Sequence, residues 1–433
     1  MPKKTGLIFF PAFDWAISPT HPERQERLLY TQDQVFEEGL LDFDNIIEFK
    51  PSIAAKEDLD RTHICVPDAS HVTTDSHLIA AGGAIRAAEI TLNGEVDNAF
   101  ALVRPPGHHA MKVVHGSRGF CNINIEAIMI DYIRKHYGPK RIAVVDTDCH
   151  HGDGTQDIFW HDPHTLCISI HQDGRTLYPG TGFHQEMGGP NAVGTTINIP
   201  LPPGTSEEGF AYVLDHAILP IIHEFQPDII INSAGQDNHY TDPITNMRFT
   251  ARGYALLNEK LSPHIAVLEG GYSIETALPY INVGIILAMA GLDHSYVCEP
   301  DYHRVSHTQT HDISRMVEKS TSEACKIWQQ KDILKNRIVG NSTSLTRRKH
   351  IYYDTDGISE EQEETVRVCD QCGGMVSIDS HADTGRRIFA VIVPYHSCSA
   401  CRLAGENLYE KTAAKYYHHV YFQDKDNDRF FVK

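Results

Sequence analysis

The sequence predicts an α/β protein: an open, mainly parallel sheet with helices on both faces, followed by a small C-terminal β-rich domain. Three observations predict it. Up to about residue 300, short runs rich in Val, Ile and Ala alternate with longer helix-period stretches, the βαβ rhythm. Polar clusters fall directly after several of these runs, where open α/β sheets bind their ligands. Beyond residue 365, two Cys-x-x-Cys pairs bracket an apolar strand in a segment too small to bury much core unaided.

Taken in order, the start GLIFFPAF is broken by Pro11 and Asp14 and reads as a strand rather than an export signal. Strands are predicted at Leu7 to Phe10, Ala99 to Val103, Arg141 to Val145, Leu166 to Ile170, Thr195 to Ile199, Asp228 to Asn232 and Ile265 to Leu268. Helices are predicted at Pro22 to Glu38, Ile79 to Leu92, Glu126 to Tyr137, Ser206 to His223 and Ile274 to Ala290. Asp301 to His350 reads as polar helix with an STS interruption, and the acidic run Asp354 to Glu364 as solvated linker. This gives a first domain over 1–345, a linker over 346–365 and a second domain over 366–433. No internal repeat of solenoid length is present.

Charge and cysteine usage narrow the function classes. Fifty-seven acidic residues against 38 basic ones give a formal net charge of −19, which argues against sequence-independent binding to nucleic acid or anionic lipid. A cationic substrate or partner is favoured instead. The longest apolar run, Val283 to Leu292, falls well short of the ~20 residues that cross a bilayer, so no membrane association is expected. Four of the ten cysteines form the two pairs and six are scattered, which fits a reducing, cytoplasmic setting better than a disulfide framework. Histidine is over-used: 27 residues, many paired or beside Asp, the material of metal sites and proton transfer.

The segment VVDTDCHHGDG places Asp146, Asp148, His150, His151 and Asp153 directly after a Val-rich strand. Extended geometry carried past the strand end projects Asp146, Asp148 and His150 from one side, so an oxygen and a nitrogen ligand face one ion. Catalytic zinc takes three protein ligands and keeps an open position, so a third ligand must come from another loop; Asp242, in HYTDP, is the candidate. Water on such an ion needs a proton acceptor, and His108 and His109 in RPPGHHA supply an adjacent pair. Asp146 and Asp153 are the spare acids that orient them, one per ring. Tyr272, after Gly270 and Gly271, is a candidate oxyanion donor, a role worth ~2.7 to 4 kcal/mol. Alone, an HH pair or an EGGY turn is more often structural, and either aspartate serves equally as a cap. Four complementary clusters, all following strands, shift the reading to one pocket.

These motifs carry a resemblance. RPPGHHA, GFCNIN, VVDTDCHHGDGTQDIF, SIHQ with YPGTG, NIPLPPGT, SAGQD with DP, and LEGGY resemble, in order and spacing, the histone deacetylase and acetylpolyamine amidohydrolase family over residues 5 to 300, with HPERQERL preceding them. The resemblance implies the arginase/deacetylase-like sheet, with Asp148, His150 and Asp242 as zinc ligands and His108 and His109 as the general base and acid pair. It further implies Asp146 and Asp153 as their orienting acids, Tyr272 as the group polarising an acetyl carbonyl, and Gly119, Phe120 and Tyr178 as walls of a narrow acyl-lysine channel. Structural K⁺ is implied near Asp146, Asp148, His150, Ser169 and Ile170, and again near Phe159, Asp162 and Thr165. Two departures stand out. MKVVHGSR, between HHA and GF, is about two residues longer than usual and brings His115 and Arg118 towards the pocket mouth, and the aspartate that in many family members grips the substrate backbone at the rim has no counterpart beyond Asp68.

In the C-terminal part, Cys369 and Cys372 (CDQC) and Cys398 and Cys401 (CSAC) bracket the strand Ile388 to Val393, the pattern of a tetrahedral structural zinc site in a zinc-ribbon-like domain. Such a site contributes folding energy, ~10 to 16 kcal/mol of apparent binding free energy. The domain reads as an accessory element that docks a protein partner. The leading function is therefore zinc-dependent deacetylation of N6-acetyl-lysine in proteins, with acetylpolyamine hydrolysis as the alternative. A dimanganese ureohydrolase and a silent acetyl-lysine binder stand behind them, opposed by the histidine pair and by Tyr272.

Overall fold

The computed structural model describes residues 2–300, 302 and 308–433. In chain order the first strands are β1 (Thr5–Phe10), β2 (Ile46–Phe49), β3 (Ile64–Cys65), β4 (Asn98–Val103), β5 (Val113–Val114), β6 (Ile142–Asp146), β7 (Thr165–Gln172), β8 (Thr196–Leu201), β9 (Ile229–Ala234) and β10 (Ile265–Leu268). Eight of them form one sheet in the order β2-β1-β4-β10-β9-β6-β7-β8, parallel throughout.

Alternation along each strand divides the core. Phe100 and Leu102 of β4, with Ala143 and Val145 of β6, face a core that includes the helices Glu26–Glu37, Ala251–Leu261 and Leu278–Met289. Their neighbours Ala101, Val103, Ile142 and Val144 face a second core with Asp75–Leu92 and Ile125–Tyr137. Both faces are thus covered, which is why these strands are apolar without interruption. The edge strand β2 and the helix Ala251–Leu261 went unpredicted, the first because it is four residues long, the second because Arg252, Asn258, Glu259 and Lys260 dilute its apolar face.

Beyond the sheet, His311–Gln329 and Lys331–Val339 are helical, as the polar-helix reading expects, whereas 301 and 303–307 lie outside the described residues. The chain then forms a second sheet from β11 (Ser344–Tyr353), β12 (Ile358–Arg367), β13 (Val376–Ala382), β14 (Arg387–Val393), β15 (His419–Asp424) and β16 (Arg429–Val432). Neighbours are antiparallel except β14 and β15, which pair in parallel across the helix Ser399–Lys411.

Residues 346–365, read from composition as a linker, instead form most of the β11–β12 hairpin. The acidic run is half of a charge ladder: Arg347, Arg348, Lys349 and His350 stand opposite Glu364, Glu363, Gln362 and Glu361. The second sheet is also larger than a ribbon and is not tethered loosely. Its core of Val366, Val376, Ile378, Ile388, Ala390 and Ile392 includes Ile64, Val66 and Val113 of the first part. Buried ion pairs reinforce the junction: Asp157 meets Arg347 at 3.0 Å and Lys349 at 2.5 Å, and Lys425 meets Asp131 at 2.7 Å. Among the described residues, no helix is long and apolar enough to cross a membrane.

Candidate active site and metal centres

The motif loops leave the carboxyl ends of β4, β10, β9 and β6, four strands that are consecutive in the sheet. Side chains far apart in sequence therefore converge above one sheet edge. There, Asp148, His150 and Asp237 each offer one ligand atom, all within 4.8 Å of one another and all buried. Backbone amides fix the acids: Gly270 N–H donates to Asp148 Oδ2 at 2.7 Å and Cys149 N–H to Asp237 Oδ1 at 2.7 Å. His150 Nδ1 lies 3.1 Å from Asp148 Oδ1 and 2.9 Å from Asp237 Oδ2.

Glycine is required around this cradle. A Cβ on Gly235 would meet Asp148 Oδ2 at 2.0 Å, and one on Gly270 would meet Asp237 Oδ2 at 2.3 Å. Burial and the charge of Asp148 push the Asp237 carboxyl above its ordinary range. Two carboxylates and an imidazole converging in a buried, glycine-lined space fit a divalent cation, whose charge relieves that crowding.

Asp237 joins Asp148 and His150 in this cluster, and Asp242, the third ligand expected from sequence, stands beside it. Asp242 Oδ2 accepts from Tyr272 N–H at 2.8 Å and Oδ1 from Ile244 N–H at 3.1 Å, and burial with the charge of Asp237 pushes its carboxyl up to about 8. Asp242 thereby also holds the tyrosine turn. The sequence signal for Asp237 was its place three residues after β9, the rule that located the other clusters.

His108 and His109 lie beside the cradle with ring centroids 4.1 Å apart. His108 Nδ1 is 3.0 Å from Asp146 Oδ2 and His109 Nδ1 is 2.8 Å from Asp153 Oδ1, the pairing expected from sequence. Glu269 holds their loop, accepting from the N–H groups of Gly107 at 2.7 Å and His108 at 3.1 Å. Sequence reasoning passed over this acid because it is hidden inside the EGGY turn. The two imidazoles differ electrically. Burial opposes charge on His108, but Asp148 and Asp146 outweigh it and hold its pKa well above the ordinary value; a cation on Asp148 would remove part of that support. Burial, reinforced by the charge of His108, lowers His109 to about 3. Burial also opposes charge on Asp153, yet Arg118 and the bond to His109 draw its pKa down to about 2.

A cavity of about 260 Å³ gives access to this group, lined among others by His108, His109, Asp148, His150, Tyr272, Gly119, Phe120 and Tyr178. Phe120 stands edge-on to Tyr272 at 5.6 Å, and Tyr178 edge-on to His109 at 5.2 Å. Gly119 has φ +54°, and a Cβ there would strike His109 Cδ2 at 2.4 Å. Arg118 reaches the mouth through Tyr178, its Nη1 donating to the phenolic oxygen at 2.7 Å. His115 does not; it turns to Ser380 of the second sheet, 2.9 Å away. Asp68 caps the short helix Ala69–Val72 and is not among the residues lining the cavity.

Of the positions tied to potassium, Ser169 Oγ contacts His171 Nδ1 at 2.8 Å, and Asp146 Oδ1 accepts from Asp148 N–H at 3.0 Å. At the other, Arg134 Nη1 meets Asp162 Oδ2 at 2.6 Å and its Nη2 donates to Thr165 Oγ1 at 2.8 Å, so a guanidinium already stands among these groups. Phe159, at the end of the helix Asp153–Phe159, and Ile170 in β7 are buried in the core.

The four C-terminal cysteines also meet, each sulfur within 4.8 Å of the others. Cys369 lies 3.8 Å from Cys398 and 3.6 Å from Cys372. A tetrahedron with ~2.3 Å metal–sulfur bonds has edges of about 3.8 Å, so the cluster has the dimensions of a thiolate metal site.

Comparison with known proteins agrees with this geometry. A family model described as the histone deacetylase domain matches residues 65–289, which end before the second sheet begins. A probable deacetylase of Archaeoglobus fulgidus is 47% identical over 325 residues, covering 69% of this chain and 89% of the relative. A histone deacetylase-like amidohydrolase of Pseudomonas aeruginosa is 33% identical over 223 residues, covering 49% of this chain and 58% of that protein. Among solved structures, the HD domain of HDA15 superposes with a TM-score of 0.65 at 26% identity, covering 78% of this chain and 99% of that one. Motif order, the convergence of four strand ends and these likenesses lead to one conclusion: the chain belongs to the histone deacetylase family and is a deacetylase.

Proposed function

We propose that the chain is a zinc-dependent amidohydrolase that removes acetyl groups from N6-acetyl-lysine in proteins, releasing acetate and a free amine. The observation that carries this reading is the single channel onto which His108, His109, Tyr272, Asp148 and His150 all open. Asp148, His150 and Asp242 would hold the zinc, with Asp237 beside Asp148 and His150. When bound, the ion supplies Lewis acidity to the acetamide carbonyl and to a water.

The chain's own residues do the rest. Gly119, Phe120 and Tyr178 grip a linear methylene chain and exclude water from it. Asp153 keeps the His109 proton on Nδ1, leaving Nε2 to accept a proton from the attacking water. The Tyr272 hydroxyl donates to the oxygen on which negative charge develops. His108, kept charged by Asp146, returns a proton to the departing amine. Potassium belongs to the proposal at Asp146, Asp148, His150, Ser169 and Ile170, and again near Phe159, Asp162 and Thr165, where Arg134 also stands.

Cys369, Cys372, Cys398 and Cys401 would hold a second, structural zinc that staples the C-terminal domain. That domain packs on the catalytic body, which supports a role within the enzyme beside any docking of a protein partner. Free cysteines throughout support a reducing compartment. Acetylpolyamines are the second reading, favoured by the Asp354 carboxylate at the channel mouth, which suits a cationic chain. Turnover of an acetyl-lysine peptide beside acetylspermidine, with metal analysis, is the test. Acetate release from the peptide and about two zinc per chain support the proposal. No acetate from either substrate would overturn it, and two manganese would point to a ureohydrolase.

A further inference from the structure

The turn of the β11–β12 hairpin, residues 354–357, reaches from the second sheet to the channel mouth, where Asp354 joins the lining. Its Oδ1 accepts from Gly119 N–H at 2.9 Å and from the Tyr178 hydroxyl at 3.1 Å. Two residues on, Asp356 Oδ2 accepts from Ser117 N–H at 2.6 Å, so the turn holds the loop before the channel from both sides.

From Asp354 the contacts continue inward without a gap. Tyr178 accepts from Arg118 Nη1 at 2.7 Å. Arg118 Nη2 lies 2.7 Å from Asp153 Oδ2, and Asp153 Oδ1 bonds His109. Arg118 is only 7% exposed and stacks on the Tyr178 ring at 5.3 Å. A buried guanidinium needs its carboxylate partner and a fixed course to it, and Tyr178 sets that course. The second sheet also holds the far end of the same short helix: Asp153 begins Asp153–Phe159, and Asp157, one turn later, meets Arg347 and Lys349 of β11.

We propose that Asp354 is a positioning residue for the hydrolysis, acting through Tyr178, Arg118 and Asp153 on the ring of His109, so that one turn of the C-terminal sheet completes the active site. This rests on the deacetylase reading above. It assigns the C-terminal domain a task in turnover and gives the lengthened MKVVHGSR segment a purpose: it delivers Arg118. A misplacement of a reacting group by about 1 Å costs up to ~10²-fold in rate, so partial loosening of this line is expected to cost about tenfold.

The test compares the zinc-loaded full chain with Asp354→Ala, Asp354→Asn, Arg118→Ala and the double variant Asp354→Ala/Arg118→Ala on an acetyl-lysine peptide. Asp354→Ala is expected to lower kcat about tenfold with KM changed less than about threefold. Asp354→Asn, whose amide oxygen still accepts from Gly119 and Tyr178, recovers most of the rate. Arg118→Ala falls further, and the double variant is no slower than Arg118→Ala alone, because both cut one line. Unchanged kcat in Asp354→Ala, additive losses in the double variant, or equal damage from Asn and Ala would overturn the proposal. Zinc content and melting temperature confirm that each variant is folded. The low-field Nδ1–H proton of His109, followed by NMR, reads the same line without turnover. Its shift in Asp354→Ala is expected, its constancy would overturn the proposal, and a wild-type chain inactive on the peptide would count against the deacetylase reading alone.

Discussion

Asp148, His150 and Asp237 hang from loops of one parallel sheet, the two acids are aimed by backbone amides, and Asp148 and His150 line a channel; Cys369, Cys372, Cys398 and Cys401 come from two loops flanking β13 and β14 and face one another. The first cluster is positioned by backbone amides and close glycines of the surrounding fold. The second is knit to itself: Cys369 and Cys398 are half-buried, and the sulfurs contact one another and nearby amides. On the proposed zinc reading, the difference separates a site for chemistry from a site for folding. A site organised by its scaffold can leave a position open, whereas a site that organises its scaffold must be closed.

The sharpest way to break that comparison is Cys372→Ser. A structural zinc of this type carries ~10 to 16 kcal/mol of apparent binding free energy, so its loss is expected to unfold the second sheet locally. Hydrogen exchange reads this as lost amide protection over β13 and β14 with β4 and β6 still protected. Uniform protection in the variant would show that the thiolates are not a staple. Next is Asp242→Ala, expected to remove the exchangeable zinc and lower turnover by at least ~10³-fold, while Asp237→Asn keeps that zinc. The opposite pattern in metal analysis would move the ligand role to Asp237. Third, Tyr272→Phe should lower kcat by ~10² to 10³ with both zinc ions retained. Full activity would remove the tyrosine from the mechanism.

The two regions also differed in how far they could be read from sequence. Around the active site, the four loops follow strands whose apolar runs are unmistakable, so convergence at one sheet edge followed from topology alone. The histidine–aspartate pairs were legible because each ring has one spare nitrogen and each acid one nearby ring. Asp242 was read as the third ligand, whereas Asp237 was passed over although its Oδ2 lies 2.9 Å from His150 Nδ1, because only the folded loop after β9 brings that ring to it. In the C-terminal region the cysteines were legible, but the hairpin was not. Composition sees Glu360 to Glu364 as solvated acid, whereas Glu360 and Glu364 are buried and paired across strands. The signal was the basic run Arg347 to His350 at matching distance from a DG turn. Arg118 was legible only as an insertion, since its partners Asp153 and Tyr178 come from distant loops.

The smallest expected effect lies between the two clusters, at Asp162. Burial opposes its charge, but Arg134, Thr165 and the His164 amide together hold its pKa at about 2, below the ordinary 3.8. A carboxylate whose pKa is depressed by folding contributes stability that is fully present above its unfolded value and is lost as pH falls through the folded one. The window is therefore about pH 4 down to about pH 2, and the contribution is about 2 kcal/mol. Asp162→Asn should be less stable than the parent by about that amount at pH 7, with the gap closing across this window. Urea unfolding of both chains at each pH reads the difference, and metal loss at low pH cancels because it is common to the two. A gap that persists below pH 2 would mean that Asp162 acts through packing rather than charge, and that Arg134 is held by something other than this pair.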